Sequence, residues 1–158
     1  MSAGIRDTWA TPPEFRRAVV MAFGHRTFDV CASADNYFSS VDYYDENQDG
    51  LEHIWPAGDG FNWCNPPGSQ VAAWVKHANV CATHGASSLV LVQQGLETDW
   101  YHAVKDHCET LLLTPRIQFV PPPGIPKSSN PRNYMLLVFE PWMQHIPAER
   151  VRTWRWTA

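Results

Sequence analysis

No apolar run in this chain of 158 residues approaches the roughly 18 to 20 residues that a membrane span needs. The opening stretch MSAGIRDTW lacks an apolar core of the export-signal kind, which predicts a protein that stays in the cytoplasm. No CxxC pair occurs. Cys31, Cys64, Cys81 and Cys108 are widely spaced, each in or beside an apolar stretch, as buried free thiols in a reducing compartment would be. A zinc centre would have to join His77 and Cys81 to distant partners, and the spacing speaks against it. No internal repeat or low-complexity tract is visible. Charge is sparse, with 18% charged residues and a net charge of −4, which argues against a tight, sequence-blind nucleic-acid binder.

What remains is a globular composition, 44% hydrophobic, at a length that suits one compact domain over residues 1–158. Eight tryptophans and 13 prolines are the unusual counts. The charge is uneven. Residues 1–99 hold five basic against twelve acidic side chains, net −7, and residues 100–158 hold seven against four, net +3. Such a split suits two ligands of opposite electrostatic taste, or is ordinary surface scatter.

Thr11 stands where it would cap a helix over PPEFRRAVVMAFG, whose Phe15, Val19, Ala22 and Phe23 recur at helical spacing before Gly24. RTFDVCA, GFNWCN, SSLVLVQQ, ETLLLTP and NYMLLVFEP read as strands, and VDYYDENQDGLEHIW as a strand fragment with an acidic loop. SQVAAWVKHANVCATHG and TDWYHAVKDHC read as helices. Strand alternating with helix predicts an α/β fold with a mostly parallel sheet and helices on both faces. Ligands of such sheets sit beyond the carboxyl ends of the strands, so the exits DVCASADN and NWCNPPGS should open onto one side. A proline-rich basic loop, residues 116–133, carries Arg116, Lys127, Ser128, Ser129, Asn130 and Arg132. It is a candidate nucleic-acid contact, cations for phosphates and Asn130 for a base edge, or an ordinary mobile loop. The tail RVRTWRWTA either touches nucleic acid or packs Trp154 and Trp156 on the domain.

DENQDG matches the start of a calcium loop, but its twelfth position is Pro56 instead of a bidentate Glu. A solvated acidic loop, or a carboxylate holding ribose hydroxyls, fits better. Asn65-Pro66-Pro67 is more telling. An exocyclic amine such as adenine N6 is a poor nucleophile because its lone pair is delocalised into the ring. Accepting hydrogen bonds from both N–H groups frees that lone pair. Asn65 offers an amide oxygen. Pro66 offers a carbonyl whose backbone the next proline biases to an extended shape, so little reorganises during reaction. The plain alternative is a proline-stiffened strand exit without chemistry.

Taken in order, DTWATPPEF, FDVCASADN, DGLEHIW, NWCNPPGSQVAAWV, LETDWYH, RIQF and NPRNYMLLVFEP resemble the Dam-like DNA N6-adenine methyltransferases of phages and prophages, over residues 7–141. The resemblance implies a Rossmann-like S-adenosylmethionine-dependent methyltransferase fold of the seven-strand type, without a separate target-recognition domain. It implies methyl transfer from S-adenosylmethionine to an adenine flipped out of double-stranded DNA, with no metal and no covalent nucleophile. By the same resemblance Asn65, Pro66 and Pro67 form the catalytic segment. Thr11 and Pro12 touch the methionine end of the cofactor. Asp29 belongs to the main cofactor loop with Ala32 close by, Asp45 meets the ribose hydroxyls, and Asp49 reaches the cofactor's adenine amine.

Two departures stand out. DVCASADN lacks the usual glycines, leaving Ala32, Ser33 and Ala34 to do their steric work. Gly68 stands where an aromatic normally stacks on the extruded base, so another ring, from Trp63, Trp74 or Trp100, must serve or the base is held less firmly. Gly68 and Trp74 join Arg116, Lys127, Asn130 and Arg132 as the expected substrate contacts. Methylation of RNA adenine or of a protein glutamine uses the same segment chemistry, and an inactive DNA-binding relic would keep the fold.

Overall fold

The computed structural model describes residues 9–24, 27–33, 38, 42–127 and 132–157. Helix α1, Pro13–Phe23, opens with proline at its first position, where an N–H would be an orphan anyway. Its end is Gly24 at φ 112°, whose N–H donates to the Val20 carbonyl at 2.8 Å. The chain then forms β1 (Thr27–Asp29), β2 (Phe61–Cys64), α2 (Val71–Thr83), β3 (Ser88–Gln93), α3 (Asp99–Val104), β4 (Glu109–Thr114), β5 (Tyr134–Phe139) and β6 (Arg150–Arg155). The expected strand in VDYYDENQ reduces to one bridge, Tyr43 beside Asp29.

The six strands form one sheet in the order β1-β2-β3-β5-β4-β6. It is mixed, with one strand departing from the expected mostly parallel arrangement. β1–β2, β2–β3 and β4–β6 pair parallel, while β5 pairs antiparallel with both β3 and β4. Five strands therefore share a direction and β5 opposes them. Successive strand residues point to opposite faces, and both faces are covered. Val90, Val92, Met135, Leu137 and Phe139 join α2 and α3 in one core. Leu89, Leu91, Leu111, Leu136 and Val138 join α1 in the other. Helices do cover both faces.

The tail is an edge strand, not a free arm. Trp156 donates its ring N–H to the Pro115 carbonyl at 2.7 Å, and Trp154 and Trp156 lie 6.1 and 5.2 Å from the Phe15 ring. Three cysteines are buried and Cys31 is half-buried, all as free thiols.

The acidic loop is seated by Gly50. Its carbonyl accepts the Trp55 ring N–H at 2.9 Å, and a Cβ added there would lie 2.1 Å from the Val30 carbonyl oxygen and 3.0 Å from the Trp74 ring. Backbone on one side and a buried ring on the other leave little give. Gly50→Ala should cost about 2 kcal/mol or more of stability by overpacking, read as a lowered urea midpoint. An unchanged midpoint would contradict this packing.

Candidate active site

Parallel pairing places the exits of β1, β2 and β3 on one rim. From β1 the chain turns outward to Tyr43, on the side away from β2. From β2 it turns the other way, through α2 to β3. Chain paths that diverge from neighbouring strands leave a crevice between them, the usual ligand position in open α/β sheets. Val30 N–H donates to the Trp63 carbonyl at 3.0 Å, which carries the ladder one residue past β1 before the two exits part.

Asn65-Pro66-Pro67 is the β2 exit. Pro67 is extended at φ −55°, ψ 135°, and a 3-10 turn, Gly68–Gln70, leads into α2. Pro66 is buried and Asn65 half-buried. The Asn65 side chain donates through Nδ2 to Thr11 Oγ1 at 3.4 Å, which leaves Oδ1 as its available acceptor. Thr11 is only 2% exposed. It does not cap α1 as expected: the N-cap is Pro12, and no side chain caps the helix.

Asn65, Pro66 and Gly68 line a cavity of about 370 Å³. The exit of β3 and the start of α3 contribute Gln93, Gln94, Gly95, Glu97, Thr98 and Trp100. Trp9, Phe119, Arg132 and Tyr134 close the remaining sides. β5 supplies Tyr134 because it runs backwards, so that its first residue pairs with Gln93, the last of β3. Phe119 meets Tyr134 edge to face at 4.9 Å. The segment before α1 is joined to the proline-rich loop by paired backbone bonds between Ala10 and Val120, at 2.7 and 2.8 Å.

Of the expected substrate residues, the cavity gathers Gly68 and Arg132 but not Trp74, Arg116 or Lys127. Trp74 is corrected to a core residue: it is 5% exposed, stacks on Trp55 and donates its ring N–H to Gln70 Oε1 at 3.3 Å. Trp63 is likewise buried, stacked on Phe38 at 4.4 Å. Trp100 alone of the three faces the cavity. Arg116 donates to Asn133 Oδ1 and Arg132 to Gln93 Oε1, so the return of the basic loop is pinned to the rim. Lys127 is exposed on that loop. Ser128, Ser129 and Asn130 lie outside the described residues. Sequence reading missed the polar pair Gln93-Gln94, though two glutamines ending an apolar strand mark a strand exit as plainly as Asn65 does.

The expected cofactor residues lie on the neighbouring stretch of rim. Ala32 N–H donates to the Tyr44 carbonyl at 2.9 Å, which sets Asp45 beside Ala32. Asp45 Oδ1 accepts from Asn47 N–H at 2.8 Å, and Asp49, at φ 53°, accepts from Leu51 N–H at 3.1 Å. No group of three or more His, Cys, Asp or Glu side chains converges among the described residues.

Asp29 is 2% exposed and braces its own loop, accepting from Cys31 N–H at 3.1 Å and Phe38 N–H at 2.7 Å. Burial outweighs those bonds and the nearby Arg16 charge, and pushes the carboxyl from 3.8 up to about 6. The folded protein therefore holds this proton more tightly than the unfolded chain. The contribution of Asp29 to stability is greatest below about pH 4 and is lost as pH rises to about 6. Urea midpoints measured from pH 4 to 7 should show the protein losing ground to its Asp29→Asn variant across that window. A difference independent of pH would overturn the assignment.

No helix is long and apolar enough to cross a membrane among the described residues. No curated protein and no solved structure matches the chain. A family model described as DNA N-6-adenine-methyltransferase (Dam) matches residues 1–153, nearly the whole length. The strand-exit Asn-Pro-Pro beside an aromatic-walled cavity thus sits within a match over nearly the whole chain, and the chain belongs to the DNA N-6-adenine-methyltransferase (Dam) family.

Proposed function

We propose that this protein, as a DNA adenine methyltransferase, transfers a methyl group from S-adenosylmethionine to N6 of an adenine swung out of duplex DNA. The observation that carries the reading is the shared cavity: Asn65 and Pro66 stand on one wall, and Trp9, Trp100, Phe119 and Tyr134 form others. At about 370 Å³ it falls within the size range of small-molecule sites. An amine buried in a base stack is out of reach, so the base must leave the duplex.

The crevice residues fit the cofactor. Asp45 and Asp49 are acceptors, as ribose hydroxyls and an adenine amine require, and Ala32 keeps the neighbouring loop small-sided. When bound, S-adenosylmethionine supplies an electrophilic methyl group on a sulfonium. Pro12, Asp29 and Ala32 shape the methionine end of its seat, Asp29 through its loop bonds; Thr11, expected there as well, is turned to Asn65.

The chain's own contribution is positioning and charge stabilisation. Asn65 Oδ1 and the Pro66 carbonyl accept the two N6 hydrogens, which frees the nitrogen lone pair. Pro67 holds that carbonyl in place. As N6 acquires positive charge both acceptors bind it more strongly, so their effect is largest in the transition state. With glycine at position 68, Trp100 takes the stacking role: it is the half-buried tryptophan of the cavity wall, held at the start of α3 by the Thr98 cap. Arg116, Lys127 and Arg132, with Asn130, meet the DNA backbone and bases.

Labelled-cofactor assays on unmethylated DNA, RNA and protein should label DNA, and Asn65→Ala should abolish the label. Undiminished labelling in that variant would refute the role of Asn65. Label on RNA or protein alone would move the substrate, and no label at all would mark a relic. Trp100→Ala should raise the KM for DNA about tenfold, in line with roughly 1–3 kcal/mol for a base-stacking contact, while the KM for S-adenosylmethionine holds. A KM for DNA unmoved by the substitution would return the platform to another ring.

A further inference from the structure

We infer that Thr11 is a positioning residue for catalysis, holding the Asn65 side chain where its amide meets the reacting amine. The inference rests on the role of Asn65 proposed above. A threonine just before a helix ordinarily gives its side-chain oxygen to a first-turn N–H. Here Phe15 and Arg16 donate instead to the Pro12 carbonyl, both at 3.1 Å, and Thr11 Oγ1 takes the Nδ2 group of Asn65, 54 residues away, at 3.4 Å. The hydroxyl is buried. A polar group withdrawn from both water and its helix is placed for what it touches.

What it touches has two ends of nearly equal size and opposite chemistry. Oδ1 toward N6 accepts an amine hydrogen. Nδ2 toward N6 sets donor against donor and leaves the lone pair delocalised. Nδ2 lies against Thr11 Oγ1, so Oδ1 is the end left for the amine. Both partners stand on stiff chain: Ala10, the preceding residue, pairs in both directions with Val120, and Asn65 is followed by two prolines. The position of the amide is thus set before substrate arrives, which is the condition for electrostatic preorganisation.

Thr11→Val keeps the β-branched shape and removes the hydroxyl. It should lower kcat about 3- to 10-fold, the range expected for one hydrogen bond, with KM for DNA and for S-adenosylmethionine unchanged and the thermal midpoint retained. Thr11→Ser should restore kcat. Unchanged kcat in Thr11→Val while Asn65→Ala abolishes labelling would overturn the inference and leave the catalytic reading intact. A rise in KM for S-adenosylmethionine instead of a fall in kcat would make Thr11 a cofactor contact, and full activity in Asn65→Ala would remove the reading on which the inference stands.

Discussion

Parallel pairing of β1 with β2 and of β2 with β3 is the constraint from which the site follows. Parallel neighbours must end on the same rim. Three exit loops that are far apart in sequence, around residues 30, 65 and 94, are thereby brought side by side without any contact designed between them. The register then sets their heights. Asp29 faces Trp63 and Cys64 faces Val90, so β1 and β2 stop within a residue of each other, while β3 runs on to Gln93 and its exit stands further out than Asn65. A strand exit is also where backbone N–H and C=O groups lose their ladder partners, which makes it a natural place for loop-bracing carboxylates such as Asp29 and for carbonyls offered to a ligand.

β5 completes that rim from the opposite direction. Running against the other strands, it begins where β3 ends, so Tyr134 and the end of the proline-rich loop arrive beside Gln93 and Gln94. The loop is anchored at its return, where the Asn133 carbonyl accepts from Gln94 N–H at 2.9 Å, and midway, where Val120 pairs with Ala10. One reversed strand thus converts a basic loop from a remote connection into the far wall of the cavity. It also carries the segment before α1 with it, and through Thr11 that segment reaches Asn65. The cavity wall and the asparagine are consequently parts of one hydrogen-bonded assembly.

Much of this was legible in the residues. α1 and α2 showed themselves by period and by their closing glycines, Gly24 and Gly85, both of which adopt positive φ. The strands showed themselves as apolar runs. Direction was not legible, because MLLVF is buried on both faces and reads the same whichever way it runs, while the connection before it is long enough to return either way. The tail was ambiguous for a related reason: alternating Arg and Trp fits an edge strand with one wet face as well as a nucleic-acid contact. Trp74 was misplaced because tryptophan pattern does not tell core from platform; its place against Trp55 and Gly50 depends on an acidic loop that is distant in sequence. Thr11 was read as a cap from its neighbours alone, and nothing local announces a partner 54 residues on. Asn65, by contrast, was readable because two successive prolines are a strong local signal and a strand exit is a local event.

The strand order also gives the uneven charge a physical meaning. β1, β2 and β3 come from the first 99 residues and occupy one half of the sheet; β5, β4 and β6 come from the rest and occupy the other. The half-chain of net charge −7 and the half-chain of +3 therefore lie side by side, and the cavity straddles their seam between β3 and β5. A field of this shape favours a cation over the β1–β2 crevice and anions beyond the basic loop. Had β5 been added at the sheet's outer edge, the basic loop would not have returned to β3 and the two fields would not share a boundary at Asn65. The same overall charge of −4 would then describe a protein with little reason to approach DNA. Whole-chain charge is thus a weaker guide to partners here than the order in which the strands are laid down.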